Sequence, residues 1–523
     1  MNAWLTTILI FLPIAGALLV AIAPLTSYWL GSLAALVSLV EVGFWITAAT
    51  RFHFGTPGLQ LGQDGSWFSD LHVRYHVGQY AFSLWFVGMT VVVMAASVIY
   101  GWWVGRDRGR AYFALMLLLT GAIVGVFAAQ DLLLFYAFFE AMLIPLYVLI
   151  GVWGGADRLR ATLTFVVYTV VGSLLMLAAI VVLGLQQGTF DLTRMSTSSS
   201  KWLFLGFVVA FFIKSPIFPL HGWLPITYRE APAEVSGVLS GVVGKAGLYG
   251  LLRIAIPLFP GPVHDWRVPL LVLASISLVY GSLLAFRAPD FRGVVMYSSL
   301  AQAGLIVLGL FADNSLGFDG AVLQIVNHAL ISSTLFLLAG MVERRTSTGE
   351  LRLLGGMARG RPLLATMVMT TGIIALAVPL SSSFAGEFLI LAGAFQQGWA
   401  WAVVGAVAIV LAAMYMLRAI SAVLHRDVGP AVPDSALDLR LGELAVVVPL
   451  VACLVGLSAW PDLISHRAFG GQGSPALTTI SASAQGSKVR LTSCAPAAFG
   501  TTCFVSTGRR AAYLPDGTKA VAK

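Results

Sequence analysis

The sequence predicts an all-α polytopic membrane protein of about 14 transmembrane helices, and three observations predict it. Only 10% of the 523 residues are charged, less than half of the roughly 25% found in soluble globular chains, which excludes a water-soluble enzyme. Hydrophobic residues make up 58% and the mean hydropathy is +0.89. The apolar residues recur from Trp4 to Ile464 in blocks of about 20, the length a helix needs to cross roughly 30 Å of hydrocarbon at 1.5 Å per residue.

The spans fall near residues 2–23, 29–50, 80–104, 111–129, 131–152, 161–187, 201–223, 235–257, 267–287, 294–312, 319–342, 362–392, 397–424 and 443–465. The first has no basic n-region and no small-residue cleavage site, so it reads as a retained helix and not as a removed signal peptide. Most spans are unbroken, but the seventh and the twelfth are interrupted. In FFIKSPIFPLHGWLP, Pro216 and Pro219 donate no backbone hydrogen bond and their rings push away the carbonyls of residues 212 and 215. In AVPLSSSFAGEFLIL, Pro379 frees a carbonyl and three serines offer replacement donors. Five positions separate the two broken spans, so they face opposite ways. That suits two inverted five-helix repeats, spans 4–8 in residues 111–260 and spans 9–13 in residues 261–425. Spans 1–3 occupy 1–110, span 14 occupies 426–466, and 467–523 reads as a flexible polar tail.

Ionisable residues inside the spans are few: Glu41, Glu140, Lys214, Lys245, Arg253, His328, Glu387 and Arg418. Each costs about 2.5 to 3.5 kcal/mol at the bilayer centre and so points to a use or a partner. Glu140 lies midway along the fifth span. Lys214 stands at the first break, too deep to reach an interface comfortably, with His221 in the same stretch as an accessory candidate. Lys245 is central to a span rich in Gly, Ser and Ala, which lets helices and waters approach; an ion pair with Glu234 is its alternative. His328 is flanked by Gln324, Asn327, Ser332 and Ser333, polar neighbours at helical spacing that suit a hydrated relay. Glu387 follows the second break. No role can be derived for Glu41, Arg253 or Arg418 beyond contacts with lipid or neighbouring subunits.

The remaining charges set orientation. Fifteen Lys and Arg lie in the loops after odd spans and five in the loops after even spans, which puts the odd loops in the cytoplasm and both termini outside. The net charge of +8 therefore reads as topology, with anionic lipid headgroups as partners and no nucleic acid. The tail carries seven basic residues and one acidic residue, with Cys494 and Cys503 outside; a local disulfide and two free thiols both fit. Cys453 in the last span reads as packing. No metal-ligand spacing, phosphate loop or dinucleotide fingerprint has a credible setting.

The strings FFEAMLIPLYVLIGVWGG, FFIKSPIFPLHGWLP, EAPAEVSGVLSGVVGKAGLYGLLR, YSSLAQAGLIVLG, NHALISSTLFLLAG and GEFLIL resemble those of the antiporter-like subunits of respiratory complex I, the bacterial NADH:quinone oxidoreductase. They cover roughly residues 80–465, and the acid at Glu387, where sibling subunits carry Lys, favours the subunit M branch. The resemblance implies a proton relay through Glu140, Lys214, Lys245, His328 and Glu387, with spans broken at Pro216, Pro219 and Pro379. It also implies that this chain binds no cofactor, since NADH, flavin, iron-sulfur clusters and quinone belong to partner subunits of a bacterial cell-membrane complex. A subunit of a multi-subunit cation/proton antiporter or membrane-bound hydrogenase is the alternative, and a scaffold that has lost pumping is a third. The chain departs from the family pattern at Ser83, Tyr228, Gln302 and Leu380, positions that spare the main relay.

Overall fold

The computed structural model describes residues 2–56 and 58–469, with four backbone segments at 491–497, 500–505, 512–513 and 519–522. The rest of the tail, including its expected flexibility, lies outside the described residues. Cys494 and Cys503 are cross-strand backbone partners in an antiparallel pair; their thiols lie outside the described residues.

Twelve continuous helices among the described residues are long and apolar enough to cross a membrane: Leu5–Ile22, Ser27–Arg51, Ala81–Val104, Gly109–Ala128, Leu132–Trp153, Arg158–Gln187, Ala233–Leu258, Pro260–Arg287, Phe291–Phe311, Ser315–Thr346, Trp399–His425 and Leu441–Ala459. Two more segments are split. Lys201–Lys214 and Leu224–Glu230 flank one break, and Pro362–Ala375 and Ser382–Gln397 flank the other. Together they are the fourteen expected spans, with the seventh and twelfth broken. Spans 8 and 11 form the buried axis of the bundle, whereas spans 2 and 13 turn most of their apolar residues outward, where hydrocarbon covers them without penalty.

Three features differ from the sequence reading. Arg267 belongs to a helix, because span 9 begins at Pro260, a residue with no N–H to leave unsatisfied in a first turn. Cys453 in span 14 is an exposed residue, not one of the buried packing positions of the span. Between spans 2 and 3 the chain folds into an unexpected β-hairpin, β1 (Gln60–Phe68) and β2 (Val73–Gln79). His72 at φ +55° closes its turn.

The hairpin is held down by charge. His76 Nδ1 lies 3.0 Å from Asp191 Oδ2, Arg74 N donates to Asp131 Oδ2 at 3.1 Å, and Arg74 and Arg194 both bind Asp64. Burial opposes ionisation of Asp191, but the bonds from His76 and Thr193 outweigh it and hold the carboxyl at about 2. Ligand atoms of Asp64, His76 and Asp191 lie within 4.8 Å of one another, as they could around a metal ion. Two arginines already supply the countercharge there, so the group is an ion-pair network.

The inverted repeat is written in the backbone. Leu132 N donates to Phe190 O and Leu192 N to Gln130 O, both at 2.8 Å; Phe291 N donates to Gly349 O and Leu351 N to Pro289 O, both at 2.9 Å. Each two-bond clip ties the loop before the second helix of a repeat to the loop after its third. One clip joins even loops and the other joins odd loops, so they close opposite faces. Their centres are acidic in three cases of aspartate and one of glutamate: Asp131 with Asp191, and Asp290 with Glu350.

The second break carries strain. Ala377 has φ +52° and Leu380 φ +77°, and Leu380 is 92% exposed. A left-handed backbone costs a residue with a Cβ about 1 to 2 kcal/mol, part of which glycine gives back through its freer unfolded state. Leu380→Gly is therefore expected to stabilise the protein by up to about 1 kcal/mol, seen as a higher thermal midpoint in detergent. An unchanged or lower midpoint would show that the Leu380 side chain holds something.

Candidate functional site

Span 7 stops at Lys214 because the next turn runs into Pro216 and Pro219. The carbonyls around the break find other donors: Ile217 N reaches Phe212 O at 2.9 Å and Trp223 Nε1 reaches Ile213 O at 2.9 Å. Ser215 Oγ crosses to Gly244 O on span 8 at 2.6 Å. Span 8 can lie this close because residue 247 is glycine; a Cβ there would sit 2.5 Å from Phe211 O and 2.3 Å from Ser215 Oγ. The break thus sets Lys214 against the helix that carries Lys245.

Span 8 itself is irregular on both sides of Lys245, with π-helical turns at Leu239–Val243 and Leu251–Ala255. Such turns widen the helix and gather at functional sites. Glycine-rich sequence hinted at close approach, but nothing in side-chain periodicity marks a π turn.

Lys214, Lys245, His328 and Glu387 are only 2–3% exposed. Lys245 Nζ lies 2.7 Å from His328 Nδ1 and 3.2 Å from Ser240 O. That bond holds one proton between the two nitrogens, because a second would set two cations in contact. Lys245 is not paired with Glu234. The Glu234 carboxylate is fully buried and takes both arms of Arg106, at 2.7 and 2.9 Å, and the Tyr112 hydroxyl at 2.7 Å.

Glu140 and Lys214 are neighbours but not an ion pair within 4.0 Å. Glu140 is half-buried. It is the acid whose charge reaches Lys214, while the ammonium rests 4.9 Å from the Phe139 ring centre and 5.8 Å from that of Phe165. The pair expected from the sequence is therefore open in this structure.

Beyond His328 a cavity of about 10 Å³, the room of about one water, is bordered by Ser298, Gln302, Gln324, Ser332, Ser383 and Tyr415. On its far side Glu387 Oε1 accepts from Gln302 Nε2 at 2.9 Å and Gln324 Nε2 at 3.4 Å. Oε2 is buried without a partner among the described residues and is the oxygen open to a proton or a water. Span 12 is fixed beneath it by Asn327 Nδ2 to Ser382 O at 2.8 Å and by Ser381 capping Phe384 N. Of the three serines after Pro379 only Ser381 bonds through its hydroxyl; Ser382 Oγ and Ser383 Oγ have no partner among the described residues.

The departures from the family pattern find places too. Gln302 braces Glu387, Tyr228 is buried between Trp223 and Phe336, and Ser83 Oγ accepts from Tyr80 N at 2.8 Å at the start of span 3. His221 stands apart from both lysines. Its ring lies against Phe218 and Tyr280, and Nδ1 has no partner among the described residues.

Comparison with known proteins agrees with this geometry. The profile of the NADH:quinone oxidoreductase/Mrp antiporter transmembrane family matches residues 129–412. NADH-quinone oxidoreductase subunit M of Rhodobacter capsulatus is 33% identical over 487 residues, covering 88% of this chain and 94% of that protein. A chain of respiratory complex I from Thermus thermophilus superposes with a TM-score of 0.83 at 29% identity, covering 91% of this chain and 99% of that one. A chain of the Mrp complex from Dietzia sp. superposes at 0.80 with 20% identity, covering 90% and 96%, a likeness of fold. A split seventh and twelfth span, two clips related by inversion and this extent of matched sequence are one result: the chain belongs to the antiporter-like membrane-subunit family of NADH:quinone oxidoreductases and Mrp antiporters.

Proposed function

We propose that this chain is the proton-translocating subunit M of a bacterial NADH:quinone oxidoreductase, coupling electron transfer in other subunits to proton movement through its own buried side chains. The observation that carries the reading is the succession of buried groups along the bundle centre: Lys214 against span 8, the Lys245–His328 bond, a one-water cavity, and Glu387 held by Gln302 and Gln324.

The open Glu140–Lys214 pair is one state of a switch. When a neighbouring subunit drives the carboxylate toward Lys214, the ammonium is held; when it moves away, the buried cation loses its counter-charge and gives up its proton. Lys245 and His328, which share one proton, release it through the cavity toward Glu387 as the proton from Lys214 replaces it. Sites this close titrate together, so the relay and not any one residue owns the proton. Pro216, Pro219 and Pro379 keep the spans broken where polar groups must face one another, and His221 has an accessory place at the first break. The repeats at 111–260 and 261–425 each supply half of the relay, with 1–110, 426–466 and 467–523 outside it.

Fifteen basic residues at the odd ends of the spans against five at the even ends support odd ends in the cytoplasm and both termini outside the bacterial cell membrane. NADH, flavin, iron-sulfur clusters and quinone belong to partner subunits, among them neighbouring antiporter-like chains. This chain's enzymatic part is movement of the proton and not of the electron.

The test is NADH-driven proton uptake by the assembled complex in sealed vesicles, read with a pH-sensitive dye. Glu140→Ala and Lys245→Ala are each expected to reduce uptake more than about tenfold, equivalent to about 1.4 kcal/mol, while NADH oxidation by an artificial acceptor continues. Full coupled uptake in both variants would end the relay reading. Sodium/proton exchange without NADH would assign the chain to an antiporter instead.

A further inference from the structure

Several arginines of this protein, in its spans or at their ends, are tied to an acid. Arg106, Arg267, Arg292 and Arg345 each bind a carboxylate: Glu234, Asp313, Glu343 and Glu443. Arg253 and Arg418, half-buried in their spans and without a role offered by the sequence, bind only neutral oxygens among the described residues. Arg253 Nη2 donates to Gln130 Oε1 at 2.9 Å and Tyr80 Oη at 3.2 Å, and its buried Nε has no partner among the described residues. Arg418 Nη2 donates to Ala288 O. Both guanidinium groups lie over an aromatic ring, Tyr80 at 4.7 Å and Phe286 at 5.7 Å. An ammonium or guanidinium without a carboxylate keeps its full positive potential in a low-dielectric bundle.

The two positions correspond under the inverted repeat. Each arginine lies near the end of the fifth helix of its repeat, at or just before a π-helical stretch, Leu251–Ala255 or Ser421–His425. Each reaches the segment immediately before a clip aspartate, Gln130 before Asp131 and Ala288 before Asp290. Each also lies one turn from a tyrosine nearer the centre. Lys245, Tyr249 and Arg253 follow at four-residue spacing on one helix face, about 12 Å from first to last. Tyr415 borders the cavity between His328 and Glu387, and Arg418 follows three residues later. The order is therefore centre, tyrosine, arginine, membrane face in both repeats, running to opposite faces.

We propose that Arg253 and Arg418 are a pair of cationic plugs, the first sealing the relay from the outside at the end of span 8 and the second sealing it from the cytoplasm at the end of span 13. The proposal rests on the relay reading above. A fixed positive charge across a narrow polar path repels hydronium and breaks a proton-conducting water chain, a device used by other membrane pores. Without the first plug, protons accumulated outside would return to Lys245. Without the second, protons bound for Glu387 would fall back to the cytoplasm.

The experiment is passive proton flux through the assembled complex in liposomes, with an imposed pH gradient, no NADH, an entrapped pH dye, and flux normalised to the assembled complex present. Arg253→Gln and Arg418→Gln, which keep a hydrogen-bonding side chain and remove the charge, are each expected to raise the flux about tenfold. Arg253→Lys, which restores the charge, should stay tight. Arg253→Gln combined with Lys245→Ala should be tight again, because the leak runs through the central lysine and a merely loosened fold would not be cured by a second truncation. Tight vesicles with either glutamine variant, or an undiminished leak in the double variant, would overturn the proposal. The relay reading stands or falls separately, on NADH-driven uptake in Glu140→Ala and Lys245→Ala.

Discussion

Lys214→Met is expected to abolish NADH-driven proton uptake while leaving the assembled complex at its normal level. The two halves of that expectation have different causes. Lys214 has no ion-pair partner within 4.0 Å among the described residues, so its removal strands no described buried carboxylate, and a buried ammonium costs about 2.5 to 3.5 kcal/mol on insertion scales. Methionine fills most of the lysine stem's volume beside Phe139 and Phe165, so no large cavity opens. Stability should therefore be unchanged or slightly higher. Function should not survive, because the broken helix presents to span 8 a group that can no longer carry charge. Uptake would fall to the leak of empty vesicles, whereas Lys214→Arg, permanently charged, should also fail, since a group that never releases its proton cannot relay one. Normal uptake in either variant would remove Lys214 from the path.

Arg106→Ala is expected to have the largest effect on stability. Glu234 is fully buried at the start of span 8 and receives two bonds from Arg106 and one from Tyr112. Removing the arginine leaves the carboxylate with one neutral donor, and breaking a buried pair from one side costs about 3 to 5 kcal/mol. Against a total stability of about 5 to 15 kcal/mol this is enough to reduce the assembled complex in membranes severalfold. Combining it with Glu234→Gln removes the stranded charge and leaves an amide that Tyr112 can still satisfy, so much of the loss should return. If Arg106→Ala assembles normally, the pair is decorative.

These cases show what the chain discloses and what it withholds. The spans were legible because crossing hydrocarbon demands an uninterrupted apolar length, and the two breaks were legible because proline lacks a donor. Lys214, Lys245, His328 and Glu387 stood out because ionisable groups are scarce at that depth, and the structure places all four in the bundle centre. Their partners were not legible. Glu234 looked available to Lys245, 11 residues away along the same helix, yet it pairs with Arg106, 128 residues away in sequence. The β-hairpin was missed because β1 carries three glycines and aspartates in nine residues and no apolar alternation; charges on two distant loops hold it down, which is a tertiary fact. Arg253 and Arg418 stood out by depth, but the neutral oxygens they reach are on distant segments and only the fold reveals them.

The two clips have a consequence for the history of the chain. Asp131 and Asp191 are 60 residues apart, and so are Asp290 and Glu350. Each clip closes a ring of equal length around the second and third helices of its repeat, and its bonds come from the backbone. Backbone bonds do not demand particular side chains, so the two rings can differ in sequence and keep the same latch. An insertion or deletion was not free, because one added residue would rotate Glu140 in the first ring, or His328 in the second, by about 100° relative to its latch. The 60-residue span of the latch is thus a length that both halves share.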